Sequence, residues 1–204
     1  ITVAAQPVSA AQASSMGIFR FDVSGQIVGY DERPSPERLA ELRSSAPGHA
    51  VGGLLAADKP FIASMGIYVF SRDVLYDVLN SNDGVNFSRE VIPSAIETHR
   101  MHAYLHRGYW ADVGSIESFY DLNLMLKNRN PPFTFFDPRR PIYTRPRFLP
   151  AANLHDCRVN SALIAEGVYL YSCEVTRSVI GVRSTIHAGA RVSNSVVLCA
   201  DYYE

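Results

Sequence analysis

The sequence predicts an α/β domain followed by the first coils of a left-handed parallel β-helix. Three observations carry this. Strand-like and helix-like segments alternate to about residue 130. A segment dense in proline and arginine then interrupts all regular periodicity. Beyond it, apolar residues return every six positions.

In the first part, "ITVAA" at the start and "MGIFRF" (Met16–Phe21) read as strands, with β-branched and aromatic residues between turn signals. "GQIVGY" is a short strand opened by Gly25. "SMGIYVF" (Ser64–Phe70) is another, and it echoes "SMGIFRF" (Ser15–Phe21). Residues 35 to 60 read as an excursion, with a short helix begun by Ser35, Pro36 and Glu37 and then a Gly/Ala-rich loop. "SRDVLYDVLN" is a helix capped by Ser71, with Asp73 in its first turn and Val74, Leu75, Val78 and Leu79 on one stripe. "SREVIPSAIE" is a second helix only if Pro93 sits near its start. "AYL" is a strand. It leads into "HRGYWADVGSIESF", where Ser115 caps a third helix with Glu117 and Asp121 early and Lys127 and Arg129 late.

The segment "NPPFTFFDPRRPIYTRPRFLP" (Asn130–Pro150) cannot be a regular helix or a central strand and reads as an extended linker. The last part changes period. Ser161, Ser178 and Ser195 are spaced by 17, and Ile180, Ile186, Val192 and Leu198 recur every six, with small residues between them as in "IHAGAR". That is the hexapeptide signature of a parallel β-helix, with about three hexads per coil, each coil burying its face on the next. The expected divisions are 1–130 for the α/β domain, 131–153 for the linker and 154–204 for a partial β-helix.

Composition bounds the function. Of 204 residues, 47% are hydrophobic and 19% charged, enough apolar matter for a sizeable core. A net charge of −1 leaves no basic footprint for nucleic acid. No apolar run is long enough to cross a membrane as a helix. Cys157, Cys173 and Cys199 are an odd number without metal-type spacing, which favours a reducing compartment. Cys157 and Cys173 fall at equivalent places in successive coils and are expected to be structural. The chain starts without methionine and stops at "CADYYE", so it is expected to be a fragment of a longer protein.

An α/β domain, an Arg/Pro linker and a β-helix together resemble the sugar-1-phosphate nucleotidyltransferases. The wording of "ASMGIYVF", "YWADVGSIESFYDLNL", "FFDPRRPIYTRPRFLP" and the terminal "ADYYE" is closer to one family. It resembles the ADP-glucose pyrophosphorylases (glucose-1-phosphate adenylyltransferases), especially the cyanobacterial and plastid forms. The resemblance implies the C-terminal portion of a Rossmann-like nucleotidyltransferase domain before the β-helix. The family's Gly-rich nucleotide loop and its main catalytic aspartate are expected upstream. "VGGLLA" has adjacent glycines but no basic residue, so it is a weak phosphate-loop candidate.

The resemblance also implies site residues. In "DERP", Glu32 takes the place of the family's sugar-gripping glutamate, and Arg33 that of a lysine holding the sugar phosphate. A carboxylate can accept from two vicinal hydroxyls and a cation can anchor a phosphate. Gly17 corresponds to a glycine that lets the backbone approach the sugar, and Ser64 to a serine facing the glucosyl group. Asp112 corresponds to a ligand of the Mg²⁺ that bridges the nucleotide phosphates. Arg145 and Arg147 correspond to the lining of an anionic effector site. Implied partners are ATP, glucose 1-phosphate, a phosphorylated metabolite effector and the other chains of a homo- or heterotetramer, with neither nucleic acid nor membrane. The implied compartment is bacterial cytoplasm or plastid stroma. "NFSREVIP" departs from the family's Asp-Phe-Gly pattern at Asn86 and Ser88. Those departures, with Arg33, leave open a weakly active regulatory subunit. A relative using another nucleotide is the second alternative.

Overall fold

The computed structural model describes residues 1–45, 58–81 and 83–203, and the chain divides into two compact units, residues 1–108 and 109–204. In the first unit, β1 (Thr2–Val8) is followed by α1 (Ala10–Ala13), β2 (Gly17–Phe21), β3 (Ile27–Glu32), α2 (Pro36–Ser45), β4 (Phe61–Val69), α3 (Arg72–Asn80), a π-helical turn (Phe87–Val91), α4 (Ile92–Thr98) and β5 (His102–Leu105). The five strands form one mixed sheet in the order β3-β2-β4-β1-β5, in which only β1 and β5 are parallel.

Alternation along the strands gives the sheet two buried faces. Phe19, Ile62, Val3 and Ala5 point to one face, where Val78 of α3 and Ile92 and Ala95 of α4 cover them. Ile18, Phe61, Ala63 and Val8 point to the other, against Ala13 of α1 and Leu39 and Leu42 of α2. An ion pair fixes α2 to the sheet: the Arg38 guanidinium meets Asp31 of β3 at 2.8 Å, and Arg20 of β2 reaches the same carboxylate at 3.2 Å.

The sequence-based elements are present with three refinements. The four-residue α1 was not expected; Ser9 and Gln12 close a capping box around it. Ser71 precedes α3 with extended backbone but makes no side-chain cap. "SREVIPSAIE" begins as a π-turn, capped by the Asn86 side chain accepting from the Arg89 N–H at 2.9 Å, and Pro93 falls in the first turn of α4, where its missing N–H costs nothing.

The second unit opens with α5 (Ile116–Leu126), started by the expected Ser115 cap in a box with Ser118. No helix or strand follows before residue 153. Three parallel three-stranded sheets then stack coil on coil. They are β6 (Asn153–His155), β9 (Tyr169–Tyr171) and β12 (Thr185–Ile186); β7 (Arg158–Asn160), β10 (Glu174–Thr176) and β13 (Arg191–Ser193); and β8 (Leu163–Ile164), β11 (Val179–Ile180) and β14 (Val196–Val197). Val168, Leu170, Cys173, Val175 and Ile180 fill the interior. The Tyr120 hydroxyl of α5 donates to the Asn194 carbonyl, so this helix packs with the β-helix unit.

The coil is shorter than three full hexads. Tyr169 stacks on Asn153 and beneath Thr185, a step of sixteen residues each way, and Arg191 stacks on Glu174 after seventeen. The serine spacing is also reassigned. Ser161, Arg177 and Asn194 share one corner of the coil, all with left-handed backbone (φ 52°, 47° and 48°). Ser178 and Ser195 sit one residue further on, where the Ser195 N–H donates to Ser178 Oγ at 3.1 Å. The left-handed turn recurs at this corner whether the residue is Ser161, Arg177 or Asn194, so it is set by the stacking of the coils and not by one residue type. The apolar beat holds for Ile180, Ile186 and Val192, but Leu198 is exposed and Val197 packs inward instead, as the longer second step requires.

Candidate functional site

Glu32 ends β3 and Gly17 begins β2, and the antiparallel register sets them opposite each other. Ile18 pairs with Ala63, so the next position along sets Gly17 opposite Ser64 of β4. Glu32, Gly17 and Ser64 therefore form one row across three neighbouring strands, on the face covered by the π-turn and α4. Asp31, one residue earlier, points to the opposite face and its arginines.

Two tyrosines stand in this row. The Tyr30 hydroxyl donates to Glu32 Oε2 at 2.5 Å, and the Tyr68 hydroxyl lies 3.3 Å from Ser64 Oγ. Ser64 Oγ also accepts the Gly66 N–H at 3.2 Å. The Tyr30 ring explains Gly17: a Cβ built there would lie 1.8 Å from the tyrosine hydroxyl oxygen. In this structure the space above Gly17 holds that ring. Phe19 packs against Tyr30 at 5.2 Å between centroids, and Tyr68 packs against Phe70 and against Phe87 of the π-turn. Ser88, on the same turn, lies near the Tyr30 hydroxyl. Burial first, then the bond to Glu32 and that carboxylate's charge, push the Tyr30 phenol well above its ordinary value near 10. It therefore remains a hydrogen-bond donor across the working pH range.

Arg33 leaves the strand with φ 48°, a left-handed conformation uncommon for arginine, and its N–H donates to the Met16 carbonyl at 3.0 Å. Its mostly exposed guanidinium lies 3.8 Å from Glu32 Oε1. The row thus presents a carboxylate with a cation beside it, suited to hydroxyls and phosphate respectively.

In the second unit, Asp112 is exposed in the segment before the Ser115 cap, and Trp110 is half-buried. The Asp112 carboxylate folds back over Gly114, where a Cβ would come within 2.7 Å of it. Among the described residues, no group of three or more His, Cys, Asp or Glu side chains gathers as a metal cage. A single exposed carboxylate nevertheless fits Mg²⁺, a hard cation that takes one or two carboxylates and keeps water or phosphate oxygens. Arg145 and Arg147 are exposed in the extended segment. "VGGLLA" lies outside the described residues. No helix among the described residues is long and apolar enough to cross a membrane.

Reasoning from the sequence missed Tyr30 and Tyr68, and read Ser88 only as a departure from the family pattern. The period of two was the available signal for the first: Tyr30 and Glu32, two apart on a strand, must share a face. Ser88 reaches Tyr30 only through the tertiary placement of the π-turn.

The nucleotidyl transferase family model matches residues 1–129, and that of the GLGC left-handed parallel beta-helix domain matches residues 147–204. The first covers more than half of the chain, and the second coincides with the stacked coils. The chain belongs to the nucleotidyl transferase family and has the two-part organisation of a sugar-1-phosphate nucleotidyltransferase.

Proposed function

We propose that the protein makes ADP-glucose from ATP and glucose 1-phosphate. A phosphate oxygen of the sugar phosphate attacks the α-phosphorus of ATP in line. The bond from that phosphorus to the bridging oxygen breaks, and pyrophosphate leaves with the electron pair. The observation that carries this reading is the row of Glu32, Gly17 and Ser64 with Arg33 at its end. Glu32 accepts from sugar hydroxyls, Ser64 hydrogen-bonds the glucosyl group, and Arg33 holds the phosphate by charge and by paired N–H donors. Holding the sugar phosphate in one orientation is a large part of the catalysis, because misplacing the attacking oxygen by an ångström can cost about a hundredfold. Asp112 would hold Mg²⁺, which when bound offsets phosphate charge. Exposed Arg145 and Arg147 would receive an anionic effector, and the β-helix would contribute to a tetramer.

A second reading, a regulatory subunit of weak activity, is favoured by Arg33, Asn86 and Ser88, where the chain departs from the family pattern. Pyrophosphate release by the full-length protein, with ATP, UTP, GTP and TTP in turn, tests the first reading. Preference for ATP supports it, and preference for another nucleotide refutes it. Turnover only on adding a catalytic partner chain selects the second.

A further inference from the structure

Tyr30 stands beside Glu32 and Gly17 without belonging to the expected set of site residues. Its hydroxyl donates to Glu32 Oε2, and its ring lies where Gly17 has no side chain. It packs on Phe19, with Ser88 of the π-turn near its hydroxyl. A carboxylate on a flexible stem is thereby tied at one oxygen, while Oε1 faces Arg33 at 3.8 Å. Gly17 is then needed to seat the ring. Ser88, a departure from the family's wording, becomes part of the same chain of contacts.

We infer that Tyr30 is a positioning residue: with Ser88 behind it, it fixes the Glu32 carboxylate so that Oε1 is presented to the sugar hydroxyls. The inference rests on the reading that Glu32 binds the sugar. The tie removes rotamers that Glu32 would otherwise lose on binding, so its effect falls on affinity for the sugar phosphate. Tyr30 touches neither the nucleotide nor the reacting phosphorus in this account, so turnover at saturation is preserved.

The test compares Glu32→Gln, Tyr30→Phe, Ser88→Ala and Ser88→Thr in the full-length protein. KM for glucose 1-phosphate, KM for ATP, kcat and melting temperature are read for each. Tyr30→Phe keeps the ring and removes the donor. It is expected to raise KM for the sugar phosphate about tenfold, as loss of one charge-assisted hydrogen bond does. KM for ATP and kcat should stay within about twofold. Ser88→Ala should move the same KM in the same direction, and Ser88→Thr, which keeps a hydroxyl, should restore it. Ser88→Ala also keeps the test decisive if the phenylalanine variant folds poorly. If Glu32→Gln raises the sugar KM but neither Tyr30→Phe nor Ser88→Ala does, the positioning role is overturned and the functional reading stands. If Glu32→Gln itself leaves that KM unchanged, the functional reading fails and this inference with it. Equal changes in both KM values would mark Tyr30 as merely structural and overturn the proposal.

Discussion

Gly17→Ala should destabilise the first unit, and only because of Tyr30. The added Cβ would stand 1.8 Å from the Tyr30 hydroxyl oxygen and 2.3 and 2.5 Å from two ring carbons. Ordinary contact needs about 3.5 Å, so the outer end of the ring must retreat by roughly 1–2 Å. Phe19 packs against that ring, so the shift is resisted and costs about 1–3 kcal/mol as overpacking. The retreat also breaks the bond to Glu32, worth a further ~1.5–3 kcal/mol because the acceptor is charged. The sum is about 2.5–6 kcal/mol. Urea unfolding, with hydrogen exchange read on peptides from β2 and β3, measures it. The same substitution in a Tyr30→Ala background should be near neutral or slightly stabilising, since alanine suits a strand better than glycine once the ring is gone. An equal cost in both backgrounds would refute the reasoning, because the clash partner would then be something other than Tyr30.

Three further outcomes are expected. Leu170→Ala, at a fully buried position in the β-helix, should cost about 2–5 kcal/mol and lower the protection of β6, β9 and β12 in hydrogen exchange. Because the Tyr30 phenol is raised in the folded state, its contribution to stability is complete below the unfolded-state value near 10 and is lost progressively as pH climbs from there through the higher folded-state value. Unfolding curves at pH 9 and 11 should therefore show a larger loss for the parent protein than for Tyr30→Phe. Asp112→Asn in the full-length protein should lower kcat by about a hundredfold or more at saturating Mg²⁺. Near-normal turnover there would remove Asp112 from the metal-binding role.

Much of the fold was legible because its signals are local. β-branched and aromatic runs marked the five strands of the sheet, Ser115 announced α5, and the six-residue apolar beat announced the coils. About three hexads per coil was close, and the observed steps of sixteen and seventeen residues fall slightly short of it. The serine at 161 shared a spacing with 178 by coincidence; register, which depends on neighbouring coils, decides equivalence. The π-turn was hidden because its extra residue has no sequence signature beyond the Asn86 cap.

The candidate site was legible in part. Glu32, Gly17 and Ser64 were singled out from separate stretches of sequence, and the strand order β3-β2-β4 sets them in one row. Pairing between strands cannot be read from any one of those stretches. For Gly17 the structure supplies a reason that sequence reasoning did not, the seating of the Tyr30 ring.

The most direct test of the account is the steady-state KM for glucose 1-phosphate in full-length Glu32→Ala and Ser64→Ala. If the row binds the sugar phosphate, each change raises that KM at least about tenfold while KM for ATP stays within about twofold. Unchanged sugar-phosphate KM values in both variants would contradict it.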